Sequence, residues 1–179
     1  MKNSPANERE QQRFRLRQQV YWACRERPIR EEESILACDS PVGTGKTTAV
    51  MAHLLRAAAE RKLRRIFVVL PFTNIIDQSV DVYRRALRLD DESEAAMESV
   101  VAAHHHRVDY SGERIERDER TGTERCVSTT SELRLLAARW DSPIVVTTSV
   151  QFFETLAARD TASLRKFHQV AGSAIFVDE

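Results

Sequence analysis

The stretch Ser40-Pro41-Val42-Gly43-Thr44-Gly45-Lys46-Thr47 sets glycines, a lysine and a hydroxyl at the spacing a chain needs to wrap an anion. The apolar run Ile35-Leu36-Ala37-Cys38 before it predicts a strand, and Thr48-Ala49-Val50-Met51 after it predicts the first turn of a helix. At a turn of that kind the backbone N–H groups converge on a phosphate at the helix N-terminus. Gly43 and Gly45 permit backbone conformations and a close approach that side chains would block. Lys46 supplies positive charge for the β- and γ-phosphates, and the Thr47 hydroxyl supplies a ligand for Mg²⁺. The expected ligands are therefore a polyphosphate and Mg²⁺, held by Ser40, Gly43, Thr44, Gly45, Lys46, Thr47 and Thr48. Ser40 stands where the strict pattern has its first glycine.

A second chemical pair closes the chain. Asp178-Glu179 follows the apolar run Ser173-Ala174-Ile175-Phe176-Val177. An acidic pair after a buried strand gives a phosphate-loop enzyme what it still lacks: Asp178 would hold Mg²⁺ together with Thr47, and Glu179 would orient and deprotonate the attacking water. Lys46, Asp178 and Glu179 are thus the expected catalytic set. His104-His105-His106 is not read as a metal site, because consecutive residues at a strand end point to opposite faces.

The elements that must position these groups follow from hydrophobic periodicity. Ile66–Leu70 and Ile144–Thr147 are continuous apolar runs bounded by polar residues or proline, as expected of strands buried on both faces. Ser99–Ala103 and Ser173–Val177 read as further strands. Between them come amphipathic stretches at about 46–61, 73–89, 131–140 and 150–159, each expected as a helix. Alternation of this kind predicts an α/β fold with a mostly parallel sheet and helices on both faces. Pro71-Phe72-Thr73 and Thr147-Thr148 then fall at carboxyl strand ends, where open α/β sheets bind ligands. The polar stretch 106–130, with alternating Arg and Glu, reads as a surface excursion. A helix is expected from about Glu8 to Arg25, with Phe14, Val20, Tyr21, Trp22 and Cys24 on its apolar side.

With 179 residues, one α/β domain is expected, divided into an N-terminal helical segment (1–33) and a nucleotide-binding lobe (34–179). Lys+Arg and Asp+Glu balance at 27 each, so no global basic field advertises nucleic acid. Cys24, Cys38 and Cys126 show no zinc spacing and read as reduced thiols. No stretch reaches the roughly 18 apolar residues of a membrane span, and a cytoplasmic protein is expected.

These stretches together resemble the superfamily-2 helicases, and most closely the helicase part of the CRISPR-associated helicase-nuclease of type I interference. The resemblance is carried by Arg65-Ile66-Phe67-Val68-Val69-Leu70-Pro71-Phe72-Thr73-Asn74-Ile75-Ile76-Asp77-Gln78, by Ile144 through Leu156 (I-V-V-T-T-S-V-Q-F-F-E-T-L), and by Leu164-Arg165-Lys166-Phe167-His168 before the acidic pair. It implies the RecA-like lobe of an ATP-dependent translocase on single-stranded DNA, recruited by an RNA-guided surveillance complex. It also implies that Pro71, Thr73, Thr147, Thr148 and Gln151 lie along the DNA backbone. Phe14-Arg15-Leu16-Arg17-Gln18 resembles the family's upstream adenine-recognition element, with Gln18 or Gln19 on the base. The second helicase lobe and the family's histidine–aspartate nuclease do not match any part of the chain, and the sequence stops within its acidic motif, so a fragment is expected. Two alternatives stay open: another superfamily-2 motor, such as a restriction translocase or an RNA helicase, and a truncated nucleotide- or DNA-binding module without a motor cycle.

Overall fold

The computed structural model describes residues 5–89, 92–104, 114–117, 124–127, 140–158 and 161–178. It divides between Leu63 and Arg64 into two compact units.

In the first unit, α1 (Pro5–Glu26) packs along α2 (Lys46–Arg61). Arginines on α2 hold the chain that follows α1. Arg56 donates to the carbonyls of Arg25 and Arg27, and Arg61 to those of Arg30 and Glu33. α2 ends at Lys62, whose left-handed conformation (φ 54°) turns the Leu63 N–H back onto the Ala58 carbonyl at 2.9 Å. The strand expected at Ile35–Cys38 is absent: residues 34–40 are irregular and Ile35 is 93% exposed. Among its described residues this unit otherwise contains only the helices α1 and α2 as regular elements, so it offers the run no strand of its own to pair with.

The second unit is built on a parallel sheet of order β2-β5-β1-β6. Its strands are β1 (Arg65–Leu70), β2 (Val101–His104), β5 (Ile144–Thr148) and β6 (Ser173–Val177). β1 pairs with β5 from Ile66↔Ile144 to Leu70↔Thr148, and with β6 from Arg65↔Ser173 to Val69↔Val177. Five consecutive β1 residues are buried, so both faces are covered, as the continuous apolar run predicts. On one face Phe67, Val69 and Val145 meet Phe152 and Trp140, with Val170 packed against them. The Trp140 ring lies 5.1 Å from Phe67 and stacks on Phe152 at 6.1 Å.

The connections carry α3 (Ile76–Ala86), α4 (Glu94–Val100), α5 (Ser149–Ala157) and α6 (Thr161–Val170). A 3₁₀ turn at Thr73–Ile75 precedes α3, so that helix starts later than the sequence suggests. Ser99 and Val100 close α4 rather than open β2. α6 was not anticipated as a helix. The polar stretch 106–130 contains an antiparallel hairpin, β3 (Arg114–Arg117) with β4 (Glu124–Val127), in the register Ile115↔Cys126. The helix expected at 131–140 lies outside the described residues except for Trp140.

Candidate functional site

The segment expected to be the phosphate loop lies in the first unit and closes on itself by side-chain hydrogen bonds. The Thr44 hydroxyl donates to the Pro41 carbonyl at 2.7 Å and therefore accepts from the Ser40 hydroxyl. Ser40, in the place of a glycine, thus shapes the loop through its side chain. Gly43 and Gly45 both adopt the left-handed region, at φ 82° and 78°. A Cβ on Gly43 would meet nothing within 4 Å, so that glycine is required by backbone conformation and not by crowding.

Helix α2 starts at Gly45 with no side-chain cap and no acid in its first turn. Its first internal bond runs from the Ala49 N–H to the Gly45 carbonyl at 3.1 Å, which leaves the N–H groups of Lys46, Thr47 and Thr48 without helical acceptors. These donors, with the Lys46 ammonium, fit a polyphosphate, and the half-buried Thr47 hydroxyl fits a hard cation beside it. The Thr48 hydroxyl instead donates to the Gly45 carbonyl at 3.0 Å.

α1 reaches this loop through Arg17, which the resemblance includes without giving it a role. Arg17 donates through Nε to the Gly43 carbonyl at 3.0 Å. Gln18, assigned to the adenine by resemblance, is exposed on the same helix. Nothing in the local sequence marks Arg17, because its role arises from the packing of two helices.

In the second unit the chemical groups gather at the carboxyl edge of the sheet. Across the strand order they run His104, Thr147-Thr148, Leu70-Pro71 and Asp178. Asp178 is placed by its own N–H, which donates to the Val69 carbonyl at 2.9 Å. The buried Tyr83 hydroxyl has its pKa pushed well up, first by desolvation and then by the charge of Asp178. Glu179 lies outside the described residues.

A cleft of about 810 Å³ opens at this edge, lined by Pro71, Phe72, Thr73, Asn74, Thr148, Val150, Gln151 and Glu154. It gathers Pro71, Thr73, Thr148 and Gln151 of the expected DNA-backbone set. Thr147 is not among them: its side chain is fully buried, on the face of β5 that carries the core residue Val145. The Thr148 hydroxyl caps α5 by accepting from the Gln151 N–H at 3.2 Å. Phe72, which the sequence reading left without a role, stands 66% exposed at the cleft.

His104 is buried at the end of β2, with its Nε2 3.1 Å from Lys166 Nζ and its ring edge-on to Trp140. Among the described residues no group of His, Cys, Asp and Glu has the arrangement of a metal site. No described helix is long and apolar enough to cross a membrane.

Comparison with known families gives a match over residues 7–179 to the family described as "Type III restriction enzyme, res subunit". No curated protein matches the chain.

Proposed function

The chain belongs to the family of the type III restriction enzyme res subunit, whose domain is the RecA-like ATP-binding lobe of superfamily-2 nucleic-acid motors, and from that premise we propose that it drives movement along single-stranded DNA in CRISPR type I interference. The single observation that carries the strand-binding half is the cleft at the carboxyl edge of the sheet, with Pro71, Thr73, Thr148 and Gln151 on its wall. Uncharged hydroxyl and amide groups suit a motor that ignores sequence, because they hold phosphates without reading bases. The type I assignment is supported by the resemblance of residues 65–78, 144–156 and 164–168 to that helicase.

In this reading each residue has a bounded task. The loop N–H groups and Lys46 bind the triphosphate, Thr47 and Asp178 hold the metal, and Glu179 takes a proton from water. Bound Mg²⁺ would neutralise charge developing on the phosphate oxygens. Gln18 reads the adenine. Completion of the cycle requires a second lobe, which closes the nucleotide site with arginines. The partners are single-stranded DNA, the RNA-guided complex that exposes it, and a histidine–aspartate nuclease.

The test is equilibrium binding of labelled single-stranded DNA, single-stranded RNA and duplex DNA to the full chain, with and without MgATP. Tighter binding of single-stranded DNA supports the proposal. Preference for RNA would reassign the chain to an RNA motor, and preference for duplex DNA to a restriction-type translocase.

A further inference from the structure

Cys24 on α1 and Cys38 in the segment leading into the phosphate loop bring their sulfurs to 3.9 Å, and both thiols are free and half-buried. Phosphate binding uses neither. Cys24 is anchored, since its carbonyl lies 3.0 Å from the His53 ring nitrogen and Arg56 grips the carbonyls of Arg25 and Arg27 just beyond it. Cys38 is not: it sits in the irregular stretch 34–40, which no ladder holds. A disulfide requires the sulfurs at about 2.0 Å. Closing the gap therefore draws the Cys38 segment toward α1 rather than bending the helix. Two residues farther on, Ser40 starts the hydroxyl chain through Thr44 to the Pro41 carbonyl, so displacement at Cys38 passes straight into the loop.

We propose that Cys24 and Cys38 are a redox modification site, at which a peroxide closes a reversible disulfide that distorts the phosphate loop and weakens nucleotide binding. Burial, and then the neighbouring Cys38, push the Cys24 thiol up to about 11. Either sulfur can attack first with the same balance of atoms, taken here with Cys38. The Cys38 thiolate attacks one peroxide oxygen and the O–O bond breaks. A sulfenic acid forms on Cys38, and the expelled hydroxide leaves as water after taking a proton. The Cys24 sulfur then attacks the sulfenic sulfur, the S–O bond breaks, and the departing hydroxide takes the Cys24 proton as a second water. The pair has lost two electrons to the peroxide, and a thiol reductant restores it by exchange. The nucleotide consequence rests on the phosphate-loop assignment; the bridge itself does not.

The experiment treats the full chain with hydrogen peroxide, maps its peptides without reduction, and titrates MgATP before treatment, after it, and after added dithiothreitol. The expected result is a Cys24–Cys38 linked peptide, a Cys126 that still alkylates, and a several-fold loss of ATP affinity that dithiothreitol reverses. The Cys24→Ser/Cys38→Ser double variant should keep its ATP affinity in peroxide. A link through Cys126, sulfinic acids without a bridge, or a bridged chain that binds ATP as tightly as the reduced one would overturn the proposal. A reduced chain that binds no ATP yet forms the bridge would instead overturn the phosphate-loop assignment, and with it the nucleotide half of the proposal.

Discussion

Arg17 Nε and the Gly43 carbonyl lie 3.0 Å apart, so a side chain from α1 fastens the apex of the phosphate loop. The bond is exposed, which reduces its worth relative to a buried charged one. Arg17→Ala should weaken ATP binding by about 1 kcal/mol, roughly five-fold, and Arg17→Lys by less. Calorimetric titration of MgATP checks this; equal affinity in all three chains would remove Arg17 from the site.

Lys46 is the only loop residue whose charge is matched to the phosphates. Lys46→Ala should abolish measurable ATP binding while the far-ultraviolet circular dichroism spectrum stays unchanged. Retained affinity would refute the phosphate-loop assignment.

At the cleft two effects need separating. Thr73→Ala and Gln151→Ala should each weaken single-stranded DNA binding to a similar degree for every sequence, with ATP affinity unaltered. Thr148→Ala should do the same and also cost about 1 kcal/mol of stability, because its hydroxyl caps α5. DNA titration alongside urea unfolding distinguishes the two.

The core rests on Trp140, fully buried between Phe67 and Phe152. Trp140→Ala should cost about 3–5 kcal/mol by leaving a cavity, and Trp140→Phe less. Thermal unfolding monitored by circular dichroism reads the difference.

Cys24 also makes stability depend on pH. Its folded-state pKa of about 11 exceeds the ordinary value of 9.0, so the folded chain holds the proton more tightly than the unfolded chain does. That contribution is fully present below pH 9.0 and is lost as pH rises to about 11. The denaturation midpoint should therefore fall across this window, and Cys24→Ser should flatten the fall.

The fold was legible where local pattern and tertiary burial agree. Ile66–Leu70 and Ile144–Thr147 are strands buried on both faces, as their unbroken apolar character predicts, and α2 spans 46–61 as its period requires. The 35–38 run shows the opposite case: its composition suits a strand, but a strand exists only where a neighbour accepts its hydrogen bonds. The 3₁₀ turn at Thr73–Ile75 and the hairpin of β3 and β4 carry weak local signals, so the pattern missed them. In the site, the glycine conformations at 43 and 45 followed from spacing, while Gln151 was singled out only by the family resemblance. The Arg17 contact and the approach of Cys24 to Cys38 come from packing between segments distant in sequence, which no local pattern encodes.

Among the described residues strand β6 pairs only with β1, and Ile175 and Val177 on it are 43% and 51% exposed. Where such an edge is left open in a concentrated solution it recruits like edges, backbone to backbone, and natural proteins normally blunt it with charge or proline. The purified chain is accordingly a candidate for concentration-dependent clumping, and a lysine placed at Val177 should hold it in solution.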